Sequence, residues 1–295
     1  MKTNKKIVTL FGATIALTFC GVSAVTEATP TTSVQTVEAA TLTIPKSKGY
    51  TSSRVLKANT GKLSKSNKKK LVEGSIAGMK ENDWIDTDSS DIARKVDVTN
   101  LSESDKVMLT HFTLDLINQA RRQMGKKAWT YKKGALKFAD RTAQQYYNNN
   151  RSVWDADHYV AGIERAAKQS GLNYKAGQVY EDESGLPITT EFNGHTRSIA
   201  ALKNQIYFNV KQMLFGGFSS VGSGDPKKQY DNASRYVEWE HAGDLLGLRS
   251  AQGYDAKTKY FGVSFSGLKN DSSKISVHMM GVAKRYILNY KKFNK

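Results

Sequence analysis

The stretch HFTLDLINQARRQMGKKAWTYKKGALKFADRTAQQYY, His111 to Tyr147, decides the reading of this chain. Together with the residues just before it, it places Met108, Phe112, Leu116, Ala120 and Met124 at helical spacing, with Leu109, Ile117 and Gln119 around them. Apolar residues three and four apart make one helix face, and Gly125 supplies a stop. Upstream, Ser102 with Asp105 three residues later resembles a capping box, which sets the start. Leu136, Ala139, Ala143 and Tyr146 or Tyr147 then predict a second helix.

Working outward, a third helix is expected from about Asp155 to Ser170, with Gly171 as its terminator. A fourth is expected in HTRSIAALKNQIYFNVKQMLF, where Ile199, Leu202, Ile206, Val210 and Met213 share a broad face. GFSSVGSGDP, Gly217 to Pro226, reads as a mobile loop and has the spacing of neither a phosphate loop nor a serine-hydrolase elbow. Near the end the period changes. YFGVSFSG (Tyr260 to Gly267) and ISVHMMGV (Ile275 to Val282) are short and partly alternating, and LKNDSSK between them supplies turn residues, so a hairpin is expected. Helices outnumber strands without regular βαβ alternation, which predicts an α+β fold of helices packed on a small, mostly antiparallel sheet.

The chain has 295 residues, 39% of them hydrophobic and 10% aromatic, enough for one sizeable core with extensions. Its formal charge of +17 predicts anionic partners. MKTNKK followed by an apolar run from Ile7 to about Val25 reads as a secretory signal. Cleavage fits after Ala24 or within Val37-Glu38-Ala39-Ala40; the second is preferred, because the Thr-rich stretch between them lacks a core-forming pattern. An uncleaved anchor is the alternative, since about 20 residues cross a bilayer. Cys20, the one cysteine, lies in this segment behind the bulky Phe19, which argues against lipidation and leaves the mature chain without thiol chemistry. The expected organisation is a signal and leader over 1–40, a basic segment over 41–100, and a main domain over 101–295 with a basic tail.

Residues 41–80 carry ten Lys or Arg and a single acid, Glu73. The segment is either a solvated, partly ordered leader or a polycationic arm. Lys62, Lys65, Lys68, Lys69 and Lys70 form its densest part, and Lys291 and Lys292 stand in a second cluster at the C-terminus. Two basic ends around a more balanced middle point to electrostatic retention on anionic cell-wall polymers. Nucleic acid is disfavoured, because no nucleic-acid module is present and the chain reads as exported.

VEWEHAGDLLG, Val237 to Gly247, sets Glu238, Glu240 and His241 at the start of a helix. Either acid could project inward. His111, His195 and His278 read as satisfied polar residues, with a buried hydrogen bond expected for His278 in its apolar strand. Trp129, Trp154 and Trp239 read as core residues rather than as a ligand box.

GMKENDW, VDVTNLSESD, LINQARRQMG, FADRTAQQYY, DHYVAGIERAAKQSGL, VYEDES, LKNQIYFNVKQMLF, WEHAGDLLG and YFGVSFSG follow one another in register from about Ile44 to Val282. This order is similar to the bacterial surface-exclusion domain family of Gram-positive cell-surface proteins. That family lies within the CAP superfamily of cysteine-rich secretory proteins, antigen 5 and pathogenesis-related proteins. The resemblance implies an α-β-α sandwich with a cleft on one side. It also implies a cleft set in the chain order His158, Glu181, Glu238, His241, with Glu240 as a supporting acid. Such a set could hold zinc or another divalent metal at His158 and His241, or could form a hydrogen-bonded network without one.

Three functional readings follow. The first is a secreted, non-catalytic surface module with an unknown surface partner, for surface exclusion or adhesion. The second is a metal-dependent hydrolase using the His/Glu cleft, against which stands the lack of an HExxH element and of a nucleophilic Ser or Cys. The third is a lipid-binding carrier.

Overall fold

The computed structural model describes residues 38–155, 157–185, 194–216, 230–251, 253–254 and 256–295. The expected signal and the expected loop at Gly217 to Pro226 lie outside them. No helix among the described residues is long and apolar enough to cross a membrane.

The basic stretch after Glu38 is folded. It forms α1 (Ser52–Ala58), α2 (Lys65–Glu81), α3 (Ser89–Ala93) and strand β1 (Lys95–Asp97). Next come α4 (Glu103–Gln123), β2 (Thr130–Tyr131), α5 (Lys133–Asn148), α6 (Val160–Gln169) and β3 (Glu181–Ser184). The chain continues through β4 (Thr196–Ser198), α7 (Ile199–Lys211), α8 (Glu240–Leu246), the β5/β6 hairpin (Tyr260–Leu268, Asp271–Val282) and α9 (Tyr290–Phe293). Ser102 caps α4 as its spacing predicts: its Oγ accepts the Asp105 N–H at 3.1 Å and donates to the Asp105 carboxylate at 2.6 Å.

Two helices start later than their periodicity suggests. The third begins at Val160 rather than Asp155. The fourth begins at Ile199, because Thr196–Ser198 pair with Lys95–Asp97 and Ser198 then caps the helix through the Ala201 N–H.

The main sheet runs β2-β5-β6-β3, parallel between β2 and β5 and antiparallel elsewhere. Its side chains sort by parity, as the pleat requires. On β6, Ile275, Val277 and Met279 join Phe261, Val263 and Phe265 of β5 in a core built with α2, α4, α7 and α8. Met280 and Val282 turn the other way, into a second core with Phe138 and Ala139 of α5 and Ile163 of α6. This is an α-β-α sandwich. At Gly262 the α5 layer presses on the sheet so closely that a Cβ would lie 2.4 Å from the Leu136 nitrogen.

The first described residues thread through this architecture. Leu42 and Ile44 are buried in the α4 core. Their backbone is read by side-chain amides. Gln119 pairs with the Ala40 carbonyl and the Leu42 N–H, Gln123 with the Leu42 carbonyl and the Ile44 N–H, and Asn82 with both backbone groups of Thr43. An extended strap without strand partners thereby satisfies its polar groups.

Candidate functional site

β3 is an edge strand, and its sequence EDES is buried along its whole length. Burying three consecutive acids is costly unless each is paired or neutralised. Each is met in a different way.

Glu181 is ionised and saturated. Its Oε2 lies 2.9 Å from His158 Nδ1 and accepts the Tyr146 hydroxyl at 2.8 Å, while its Oε1 lies 2.7 Å from His278 Nδ1. Burial pushes this carboxyl up, but the hydrogen bonds and charge of the two histidines outweigh burial and hold it at about 2. His278 is completely buried, and its Nε2 lies 2.7 Å from Ser266 Oγ.

Glu183 is driven the opposite way. Burial first, and then the charge of Glu181, raise it well above the usual carboxylate range, so it is neutral. Its Oε2 is 3.1 Å from the Tyr146 hydroxyl, which also accepts the Tyr159 N–H at 2.7 Å. The single Tyr146 proton goes to ionised Glu181, so the proton of Glu183 donates to the Tyr146 oxygen. Glu183 Oε1 has no hydrogen-bond partner.

Asp182 points to the other face, where burial and then the neighbouring Asp244 raise it to about 7. Asp244, on α8, is held by buried Lys259, whose Nζ lies 2.6 Å from both carboxylate oxygens. His241 stands one turn earlier on α8. Burial pushes it down, but Glu238 and Asp182 leave its pKa raised. Its Nδ1 is 3.9 Å from Glu238 Oε1. His158 likewise ends raised: burial lowers it, Glu181 more than compensates, and the charge of His241 opposes.

The structure therefore pairs His158 with Glu181 and Glu238 with His241, and it turns Glu240 outward to Arg249 at 2.6 Å. The side chains of His241 and His158 are 40% and 22% exposed, against 0% for His278, so the first two can meet a ligand. Tyr146, Asp182, Glu183, Asp244 and Lys259 escape the sequence reading, and His278, expected as an isolated buried polar residue, belongs to the network. One signal was available: alternation in EDES places Glu181 and Glu183 on the side of His278 and Asp182 on the other.

His158, Glu181 and Glu183 offer ligand atoms within 4.8 Å of one another. His158 Nδ1 and both oxygens of Glu181 are already engaged within the network, so this trio has few free ligand atoms.

Trp129 and Trp239 are core residues, the latter donating its indole N–H to Ser75, whereas Trp154 is 38% exposed. His195 Nε2 lies 2.8 Å from the Leu268 carbonyl oxygen, and exposed His111 stacks on Tyr131. Lys62, Lys65, Lys68, Lys69 and Lys70, with Lys291 and Lys292, are exposed and belong to α1–α2 and α9 rather than to the β3 edge.

Among solved structures, the chain matches the CAP domain of Enterococcal PrgA with a TM-score of 0.56 at 24% identity, over 78% of this chain and 83% of that one. The fold is accordingly that of a CAP domain. No protein-family model matches the chain, and no curated protein matches it.

Proposed function

We propose that this chain is a secreted, non-catalytic CAP module. It is held at an anionic Gram-positive cell wall by its basic segments and offers its cleft to a surface partner in surface exclusion or adhesion. The observation that carries the non-catalytic reading is the saturation of Glu181. A general base works best with a pKa near the operating pH and a free lone pair. Glu181 sits at about 2 with its oxygens engaged by two histidines and a tyrosine. Glu238 is likewise lowered: burial raises it, and His241 outweighs that. These acids orient imidazoles and are poorly suited to taking protons.

The hydrolase reading has one observation in its favour. Asp182, at about 7, is a carboxyl poised near neutrality beside His241. It is buried against Asp244, which leaves little of it open to a substrate.

The deciding experiment incubates the purified protein with cell-wall fragments, with and without added zinc, and follows released amino groups and reducing ends. No release above the His158→Ala/His241→Ala variant, with wall binding that salt reverses, is expected. Release that depends on either histidine would replace the module with a hydrolase.

A further inference from the structure

The parity of the sheet separates the two basic ends of the chain. α2 buries Leu71, Val72 and Met79 in the core that holds Ile275, Val277 and Met279. α9 buries Phe293 in the other core, with Met280 and Val282. Alternate residues of one strand point to opposite faces, so α2 and α9 lie on opposite sides of the sheet.

Each side adds cations from elsewhere in the chain to its own run of sequence. On the first, the Lys46–Lys48 turn packs on α2 so tightly that a Cβ at Gly49 would lie 2.3 Å from the Lys70 carbonyl. Arg54 ties the two together, donating to the Gly49 carbonyl at 2.9 Å and to Asn67 at 3.0 Å. Lys46 and Lys48 thereby join Lys65, Lys68, Lys69 and Lys70, all exposed and none ion-paired among the described residues. α2 also opens with lysines and has no acid in its first turn. That is the reverse of what a helix dipole favours, and an external anion would relieve it.

On the second side, α9 docks on α5 and α6. A Cβ at Gly171 would lie 2.8 Å from Lys292 Cβ, and one at Gly134 would lie 2.0 Å from the Phe293 carbonyl. This brings Lys292 to the end of α6, where Lys168 lies, with Lys291 next to it in α9 and Lys295 against Lys137 of α5; Lys168, Lys291, Lys292 and Lys295 are exposed, and their side chains have no ion pairs among the described residues.

From this layout we infer that one molecule bridges two strands of a phosphate-rich polyanion, one on each side of the sandwich. The inference rests on the wall-retention reading and adds a cross-linking function to it. Lysine ammonium groups are point charges suited to successive phosphates, without the forked geometry that arginine brings to single carboxylates. Polymer phosphodiesters and phospholipid headgroups share this chemistry; separation of the two faces by the thickness of the sandwich favours two separate polymer strands.

The test uses long-chain inorganic polyphosphate on beads and a second, fluorescent polyphosphate in solution at low salt. Wild-type protein should bind the beads and capture the fluorescent strand. Lys65→Gln/Lys68→Gln/Lys69→Gln/Lys70→Gln and Lys168→Gln/Lys291→Gln/Lys292→Gln/Lys295→Gln change exposed side chains only. Each should still bind the beads but lose second-strand capture at least about ten-fold. Bead binding by the wild type without second-strand capture overturns bridging and leaves retention standing. Undiminished capture by either variant also overturns it, since a one-faced protein that self-associates would behave so. Absence of wild-type bead binding removes the retention reading as well. Aggregation of phosphatidylglycerol/phosphatidylcholine vesicles without polyphosphate capture overturns the polymer as ligand.

Discussion

Glu183 stands directly opposite His278 in the β3–β6 register, yet His278 Nδ1 is engaged by Glu181, one pleat away, at 2.7 Å. Diagonal neighbours in a sheet lie within reach of long side chains. The choice of the diagonal acid divides the two glutamates: one becomes an ionised hub for two imidazoles, and the other is left neutral behind Tyr146.

Glu181→Gln removes the hub. Two imidazole N–H groups and the Tyr146 hydroxyl would lose a charged acceptor, and breaking a buried ionic network costs about 3 kcal/mol or more. Urea unfolding should show this loss with an unchanged m-value; a loss below about 1 kcal/mol would mean that the network is dispensable.

Tyr146→Phe should cost about 2 kcal/mol, since it strands the Tyr159 N–H and the Glu183 proton together. In the Tyr146→Phe/Glu183→Gln double variant the two costs should be non-additive by more than about 0.5 kcal/mol. Strict additivity would show that the hydroxyl and Glu183 do not share a proton.

Stability should be greatest on the acid side of neutrality. Groups whose folded pKa is raised give stability that is present below the unfolded value and lost as pH rises through the folded value. Asp182, from 3.8 to about 7, and Glu183, His158 and His241, all raised, act in this sense. Glu181, depressed from 4.5 to about 2, acts in the other, its contribution being present above 4.5 and lost as pH falls towards 2. The melting temperature should therefore peak at about pH 4, fall towards pH 8, and fall again below about pH 3. Asp182→Asn should flatten the alkaline limb. A melting temperature that rises from pH 5 to pH 8 would contradict the assignment of Asp182 and Glu183.

Leu42→Ala should cost about 3 kcal/mol, as for other large-to-small core changes. The exposed neighbour Thr41→Ala should stay within about 0.5 kcal/mol. Equal small effects in a thermal melt would place the strap outside the folded unit.

Gly262→Ala should destabilise by about 2–3 kcal/mol, because the new methyl meets the α5 backbone, which cannot swing aside as a flexible side chain can. Near-wild-type stability would show that the α5–β5 contact is looser than 2.4 Å implies.

Local chemistry in the sequence already determines much of this molecule. The period of Met108 to Met124, the Ser102 cap and the alternation of Tyr260 to Gly267 are properties of neighbouring residues, and α4, β5 and β6 follow from them. Gly247, in the left-handed region at φ 64°, ends α8 where the sequence places it. What the tertiary structure alone decided is long-range. Thr196–Ser198 became a strand because Lys95–Asp97, about a hundred residues away, supplied its partners. Ala40 to Ile44 became core because Gln119, Gln123 and Asn82 read their backbone, and side-chain amides leave no periodicity in the segment they bind. The protonation of three adjacent acids likewise depended on what packing brought to each face of β3: two histidines for Glu181, Asp244 for Asp182, and for Glu183 the charge of Glu181 beside a shared tyrosine hydroxyl.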